Sequence, residues 1–207
     1  MTFTVNNNHC KAGGIIAYTK KNDKIYFLMI NNTKKTKKND KHISYYEDPG
    51  GKFEKSDDSL IYGMCREFEE ETSLLYYQQS NKIEINIRSI NDLVIKSSEI
   101  MTRNIENSIK VIFLPKSKYA LGFIEVDPKI MDLKINKYET LTEREKKENR
   151  SLEWIKSDKI LYKKLHPRLF YNKNLIIEFL KLQHLIINKN NCLFTKKKIE
   201  YNLNKVE

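Results

Sequence analysis

The chain has 207 residues, 40% of them hydrophobic and 11% aromatic, which suits one well-buried domain and excludes a disordered chain. No apolar stretch approaches the ~20 residues that span a bilayer, and the opening MTFTVNNNHCKAGG lacks the basic start and apolar core of a signal peptide, so a cytoplasmic protein without a membrane partner is expected. The net charge of +11 comes from 32 lysines and only six arginines, so it fits contact with a polyanion such as RNA and fits plain solubility equally well.

Residues 1–12 read as a loose N-terminal tail, ahead of a domain over 13–187 and a basic tail over 188–207. GGIIAYTK (Gly13 to Lys20) and KIYFLMIN (Lys24 to Asn31) are β-branched and aromatic runs split by a polar turn, the pattern of a strand pair. NTKKTKKNDK (32–41) reads as a lysine-rich loop, and ISYYEDPGG leads from it into a glycine turn. KIEINIRSI (Lys82 to Ile90) alternates as a half-buried strand, and IKVIFLP (109–115) and KYALGFIEVD (118–127) read as two more. YETLTEREKKENR (138–150) is charged and partly helical by pattern, SLEWI (151–155) is a short strand, and LIIEFLKLQHLII (175–187) is a helix that should cover a sheet face. Cys10, Cys65 and Cys192 are far apart and show no metal or disulfide spacing, so reduced thiols are expected. The order of elements places a mixed sheet between helices.

The most informative stretch is 50–74, GGKFEKSDDSLIYGMCREFEEETSL, a tight glycine turn followed by a helix. At about 100° per residue, Glu67, Glu70 and Glu71 fall in one sector of that helix. Three like charges held so close are costly unless a cation neutralises them. Ser56, Asp57, Asp58 and Ser59 offer N-cap oxygens, while Ile61, Met64, Cys65 and Phe68 form an apolar arc that can pack on a sheet. Gly63, one turn before Glu67, leaves room either for a ligand or for a close helix contact. A glutamate-rich helix alone is usually a solvated face; the glycine turn and the apolar arc set this one apart.

The segment resembles the Nudix box, with Gly51 opening it and Arg66, Glu67, Phe68, Glu70, Glu71 and Leu74 filling its second half. It departs in three ways: eight residues instead of seven separate Asp57 from Arg66, an aspartate replaces the first glutamate, and Ser73 stands where the family has glycine. The resemblance implies an α/β/α sandwich with a mixed central sheet and a Mg²⁺- or Mn²⁺-dependent pyrophosphohydrolase. Carried over by position, Glu70 and Glu71 are metal ligands with the Gly50 carbonyl, and Glu67 either accepts the proton of the attacking water or binds metal. Arg66 braces the loop by pairing with Asp57 or Asp58, and Lys52 and Glu54 line the substrate cleft. Glu148, six residues before Trp154, is the candidate for a further metal ligand from a loop, with Glu143 and Glu145 as rivals and an ordinary Glu143–Lys147 surface pair as the plain reading. His166-Pro167-Arg168 fits either a phosphate contact or a turn. The implied substrate is a nucleoside diphosphate linked to another moiety. The basic surface and the loops at 32–42 and 133–150 favour capped or 5′-diphosphate RNA, as in mRNA decapping. The alternatives are small nucleotides (nucleotide-sugars, dinucleoside polyphosphates, oxidised nucleotides) and a non-catalytic nucleotide- or RNA-binding module.

Overall fold

The computed structural model describes residues 1–35, 42–80, 89–133, 150–160 and 162–186. The strand expected over 82–88, the charged stretch with Glu143, Glu145 and Glu148, and the basic tail with Cys192 therefore lie outside the described residues, as do the side chains of Lys34 and Lys35. In chain order the elements are β1 (Phe3–Val5), β2 (Asn8–Cys10), β3 (Ala12–Lys21), β4 (Lys24–Lys35), β5 (His42–Glu47), β6 (Gly50–Lys52), α1 (Leu60–Glu71), α2 (Leu75–Ser80), α3 (Ile90–Ile105), β7 (Lys110–Leu114), β8 (Tyr119–Glu125), a 3₁₀ turn (Pro128–Asp132), β9 (Arg150–Lys156), α4 (Ser157–Ile160), α5 (Pro167–Phe170) and α6 (Lys173–Leu182). No helix among the described residues is long and apolar enough to cross a membrane.

The two apolar runs expected as a strand pair are β3 and β4, joined through Asn22 and Asp23, whose φ angles of 51° and 56° suit a two-residue hairpin turn. Asn6 and Asn7 do the same between β1 and β2, at 48° and 62°. Residues 3–10 are thus a hairpin and not a loose tail; Val5 and Cys10 are buried in the main core, and the Phe3 ring stands edge-on to Phe53 at 5.0 Å. The asparagines carry this, because they enter the left-handed region more cheaply than other side chains.

β3 pairs with β4 only over Tyr18 to Lys21, and the two strands then diverge. β5 continues along the β4 edge that β3 has left, over Ile30 to Lys35, while β6 lies along the start of β3, with Gly13 opposite Gly51 and Gly14 opposite Gly50. The turn Asp48–Pro49 crosses the split between them, held by the Ile15 N–H donating to the Pro49 carbonyl at 2.9 Å. β9 pairs along the opposite edge of β4, β8 runs parallel to β3, and β7 closes that side antiparallel to β8. The sheet is therefore mixed, and β4 extends to Lys35 into what reads as a loop.

Alternate residues of the central strands enter different cores, which is why these strands read as continuous apolar runs. Ile15, Ala17, Leu28, Ala120 and Ile124 meet Met64, Cys65 and Phe68 of α1 and Met101 and Ile105 of α3. On the other face Ile16, Tyr18, Phe27, Met29, Leu121 and Phe123 meet Ile176, Phe179 and Leu180 of α6. The result is an α/β/α sandwich. Helix α6 stops at Leu182, short of Ile187, because His184 turns left-handed (φ 54°) and the Leu185 N–H returns to the Leu180 carbonyl at 2.8 Å. Helix α3 is not evident in the sequence, and Ile90, expected to close a strand, instead begins it. Its N-cap is Ser89, whose hydroxyl accepts from the Asp92 N–H at 3.1 Å. Its inward face carries Ser97 and Ser98 among the apolar residues, which blurs the period.

Those serines face a buried carboxyl. Glu69 of α1 is fully buried against α3, where the Ser97 hydroxyl and the N–H groups of Tyr76 and Tyr77 oppose, but do not cancel, the desolvation that pushes its pKa up to about 8. A raised acid pKa means that the fold holds the protonated form: the stabilising contribution is complete below the ordinary carboxylate value near 4.5 and is lost as pH rises through about 8. Wild-type stability should fall across that window by up to ~1.4 kcal/mol per pH unit. Glu69→Gln should flatten the profile and be the more stable chain at pH 8. Denaturant melts between pH 5 and 8 check this, and parallel profiles for the two chains would contradict it.

Candidate active site

The site lies where the sheet splits. Helix α1 starts at Ser59, whose hydroxyl accepts the Tyr62 N–H at 3.1 Å, and it runs beneath β6. Gly51 faces the Glu67 carboxyl so closely that a methyl group there would collide with it. Gly63 resolves as a close packing contact: a Cβ would lie 2.7 Å from the Phe53 ring and 2.8 Å from an Asp57 oxygen. At its far end α1 closes with Ser73 at φ 55° and the Leu74 N–H donating to the Glu69 carbonyl at 2.8 Å. Ser73 thus takes the left-handed position that glycine adopts most cheaply, so the chain ends this helix without the glycine.

Arg66 is the hub. Its Nε donates to Asp57 Oδ1 at 2.8 Å and one terminal nitrogen to Asp57 Oδ2 at 3.1 Å. That same nitrogen reaches the Lys52 carbonyl and Glu67 Oε1, each at 3.1 Å, and the other reaches both Glu70 oxygens at 3.1 and 3.2 Å. Of the two candidate partners in the loop, Asp57 is the one engaged. It is buried, and it also accepts the Glu54 N–H at 2.7 Å, which closes the loop carrying the additional residue. Burial alone would weaken the Arg66 proton; the hydrogen bond to Asp57 and the charges of Glu70 and Glu67 outweigh it and raise the pKa.

One guanidinium cannot neutralise three carboxylates. Burial first, and then the Glu70 and Glu71 charges, push Glu67 up to about 7 against the opposing pull of Arg66. Glu70 is also raised, chiefly by burial. Glu71 has a different partner: a terminal nitrogen of Arg150 at 2.6 Å, whose other terminal nitrogen lies 3.0 Å from Glu47. Arg168 in turn donates from Nε to Asp48 Oδ1 and from a terminal nitrogen to the Asp48 carbonyl, both at 2.8 Å, while the Tyr119 hydroxyl donates to the other Asp48 oxygen at 2.6 Å. The Asp48–Gly50 turn is clamped from behind by this network. His166-Pro167-Arg168 accordingly serves the turn, with Arg168 on Asp48.

Lys52 and Glu54 are exposed, and Gly50 is half-buried on β6. Glu47 and Arg150 had no motif to mark them, Arg168 was marked only within His166-Pro167-Arg168, and Asp48 only as part of the lead into the glycine turn. The available signal was scarcity: half of only six arginines, Arg66, Arg150 and Arg168, hold carboxylates of this site. Among the described residues no three acidic, histidine or cysteine side chains converge as a ready-made metal cage, because Arg66 and Arg150 hold the carboxylates. The donor set nonetheless fits a hard cation such as Mg²⁺ or Mn²⁺: it is all oxygen, and Glu67 and Glu70 are raised first by burial and then by neighbouring carboxylates, a cost to their charged forms that a divalent ion would offset.

No protein-family model matches the chain. A stretch of 69 residues, 33% of the chain, is 42% identical to the uncharacterized protein L534 of Acanthamoeba polyphaga mimivirus, and the match spans only 21% of that relative's length. Among solved structures the chain is similar to RenU, a Nudix hydrolase from M. Smegmatis (TM-score 0.43, 10% identity, 88% of this chain and 96% of that one). It is also similar to a mutT/nudix family protein from Listeria innocua (0.42, 15%, 84% and 96%) and to a C. elegans Ap4A hydrolase (0.38, 16%, 83% and 98%). At these identities and TM-scores the likenesses carry no argument about activity or substrate.

Asp57→Asn removes the buried charge that Arg66 pairs with, and unfolding free energy should drop by about 3 kcal/mol. Asp58→Asn, at an exposed position, should change stability by less than about 0.5 kcal/mol. Urea melts of the two variants distinguish the assignments, and equal losses would reject Asp57 as the brace.

Proposed function

We propose that the chain is a Nudix-type hydrolase that cleaves the diphosphate linkage of a nucleoside diphosphate joined to another moiety, using Mg²⁺ or Mn²⁺. The observation that carries this reading is that Glu67 and Glu70 share Arg66 beside the Gly50–Gly51 turn, with Glu71 next in the helix on Arg150, in the order that the Nudix box has these glutamates. Two of the three departures from the box have a structural account that leaves this arrangement intact. The additional loop residue is closed by the Asp57–Arg66 pair, and Ser73 ends the helix as the family's glycine would.

Glu70, Glu71 and the Gly50 carbonyl would hold the cation, with Glu148 as the further ligand expected from the loop. When bound, the ion supplies charge neutralisation on the diphosphate and a more acidic water. Glu67, with a pKa near 7, suits taking a proton at its carboxylate oxygen from the attacking water near neutral pH. Arg66 fixes the Glu67 and Glu70 rotamers, and Arg168 with Tyr119 keeps the glycine turn in place through Asp48. Lys52 and Glu54 sit where the substrate enters. The charge of +11 is compatible with a polyanionic substrate, and the preferred one is capped or 5′-diphosphate RNA.

A Mg²⁺-dependent hydrolysis screen of capped RNA beside small nucleotide diphosphates tests the class and the substrate. Glu70→Gln should lower cleavage by at least about tenfold with the fold retained. Adding Mg²⁺ to the metal-free protein at pH 7 in weak buffer should release protons, and less in Glu70→Gln, because the cation displaces protons from raised carboxyls. Full Mg²⁺-dependent activity in the Glu70→Gln, Glu71→Gln double variant would remove the assignment.

A further inference from the structure

Residues 156–173, KSDKILYKKLHPRLFYNK, carry five lysines and one arginine against one aspartate. Within them three large aromatic side chains face solvent: Tyr162 is 89% exposed, Phe170 57% and Tyr171 59%. Their neighbours Ile160, Leu165 and Leu169 point inward and pack with the core beneath α6, so the aromatics are the outward side of a segment whose apolar requirement is already met. Tyr162, Phe170 and Tyr171 thus offer aromatic faces to solvent within a cationic segment.

The segment is also rigid in the way that a stacking surface requires. Its backbone hydrogen-bonds to the edge strand β5, with the Tyr46 N–H donating to the Lys164 carbonyl and the His166 N–H to the Tyr46 carbonyl, each at 2.8 Å. Arg168 ties it to Asp48. Asn172, buried, donates to the Arg168 carbonyl at 2.8 Å and to the Ser117 hydroxyl at 3.2 Å, and accepts the Lys116 N–H at 3.3 Å. That last contact brings the β7–β8 turn, with exposed Lys116 and Lys118, beside Tyr171. The Phe170 and Tyr171 rings hold each other edge to face at 5.8 Å.

We propose that this surface binds single-stranded RNA, its bases stacking on Tyr162, Phe170 and Tyr171 and its phosphates pairing with Lys116, Lys118, Lys159, Lys164 and Lys173. Aromatic faces interleaved with lysines are the chemistry that holds a single strand without reading its sequence. Among the described residues the exposed large hydrophobic side chains of the segment are all aromatic and lie among lysines, which complements a polyanion with flat bases. The segment borders β5 and, through Arg168, holds Asp48 ahead of the glycine turn; as a route for a substrate this surface rests on the proposed hydrolase reading, and as a binding surface it stands without it.

The test uses the full chain in EDTA with a fluorescent 5′-hydroxyl oligouridylate, which has no diphosphate to cleave. Tyr162→Ala, Phe170→Ala, Tyr171→Ala together should weaken binding by at least about tenfold with an unchanged salt slope, since stacking releases no counterions. Lys159→Ser with Lys164→Ser should instead flatten the slope. All the replaced side chains are exposed, so melting temperatures should stay put, and hydrolysis of a small dinucleoside polyphosphate should be unaltered. Glu70→Gln should keep oligouridylate binding while losing hydrolysis, so failure of the cleft reading and failure of this one are separable. Affinity within about twofold of wild type in the aromatic variant would overturn the proposal. So would equal affinity for duplex RNA, or binding to phosphatidylserine vesicles without binding to the oligonucleotide.

Discussion

The site depends on one buried guanidinium. Arg66 occupies the angle between the loop ahead of helix α1 and the carboxylates on it, and its bond to Asp57 fixes where the loop ends and the helix begins. With that nitrogen fork in place, the Glu67 and Glu70 oxygens have defined positions. Remove it, and the acidic groups crowd one sector with nothing to orient them. Burial is equally consequential, because with the neighbouring charges it leaves Glu67 and Glu70 raised in pKa despite Arg66.

The backbone provides the second constraint. A flat continuous pairing of β3 with β4 would leave no gap for a glycine turn. Their divergence after Tyr18, with β5 following one strand and β6 the other, creates a place where two glycines pass close to Glu67. Arg150 and Arg168 secure that place from behind, joining Glu71, Glu47 and Asp48, which come from the box helix and the edge strand. Arginine suits this better than lysine because its planar fork bridges two carboxylates at once.

Glu69 belongs to the same helix but answers to a different surface. It turns from the acidic sector into the contact with α3, where serines replace some of the apolar residues expected of a core. One helix therefore carries carboxylates held by arginines on one side and a carboxyl held protonated in packing on another. Neighbouring glutamates in a run acquire distinct character from burial alone.

Strands β3, β4, β7, β8 and β9 were legible because alternation and β-branching are properties of the chain within a single element. The shared face of Glu67, Glu70 and Glu71 follows from helical spacing in the same way. Tertiary structure alone decided the rest. It chose Asp57 over Asp58 through burial, put Ser73 in a left-handed cap, turned the N-terminal residues into a packed hairpin, and made a helix of a segment whose serines interrupt its apolar period. It also joined Arg150 to Glu47 and Arg168 to Asp48, pairs 103 and 120 residues apart. Local periodicity states which side chains lie on one face of one element, whereas the partner of a buried charge is set by how distant elements pack, and no spacing in the sequence records that.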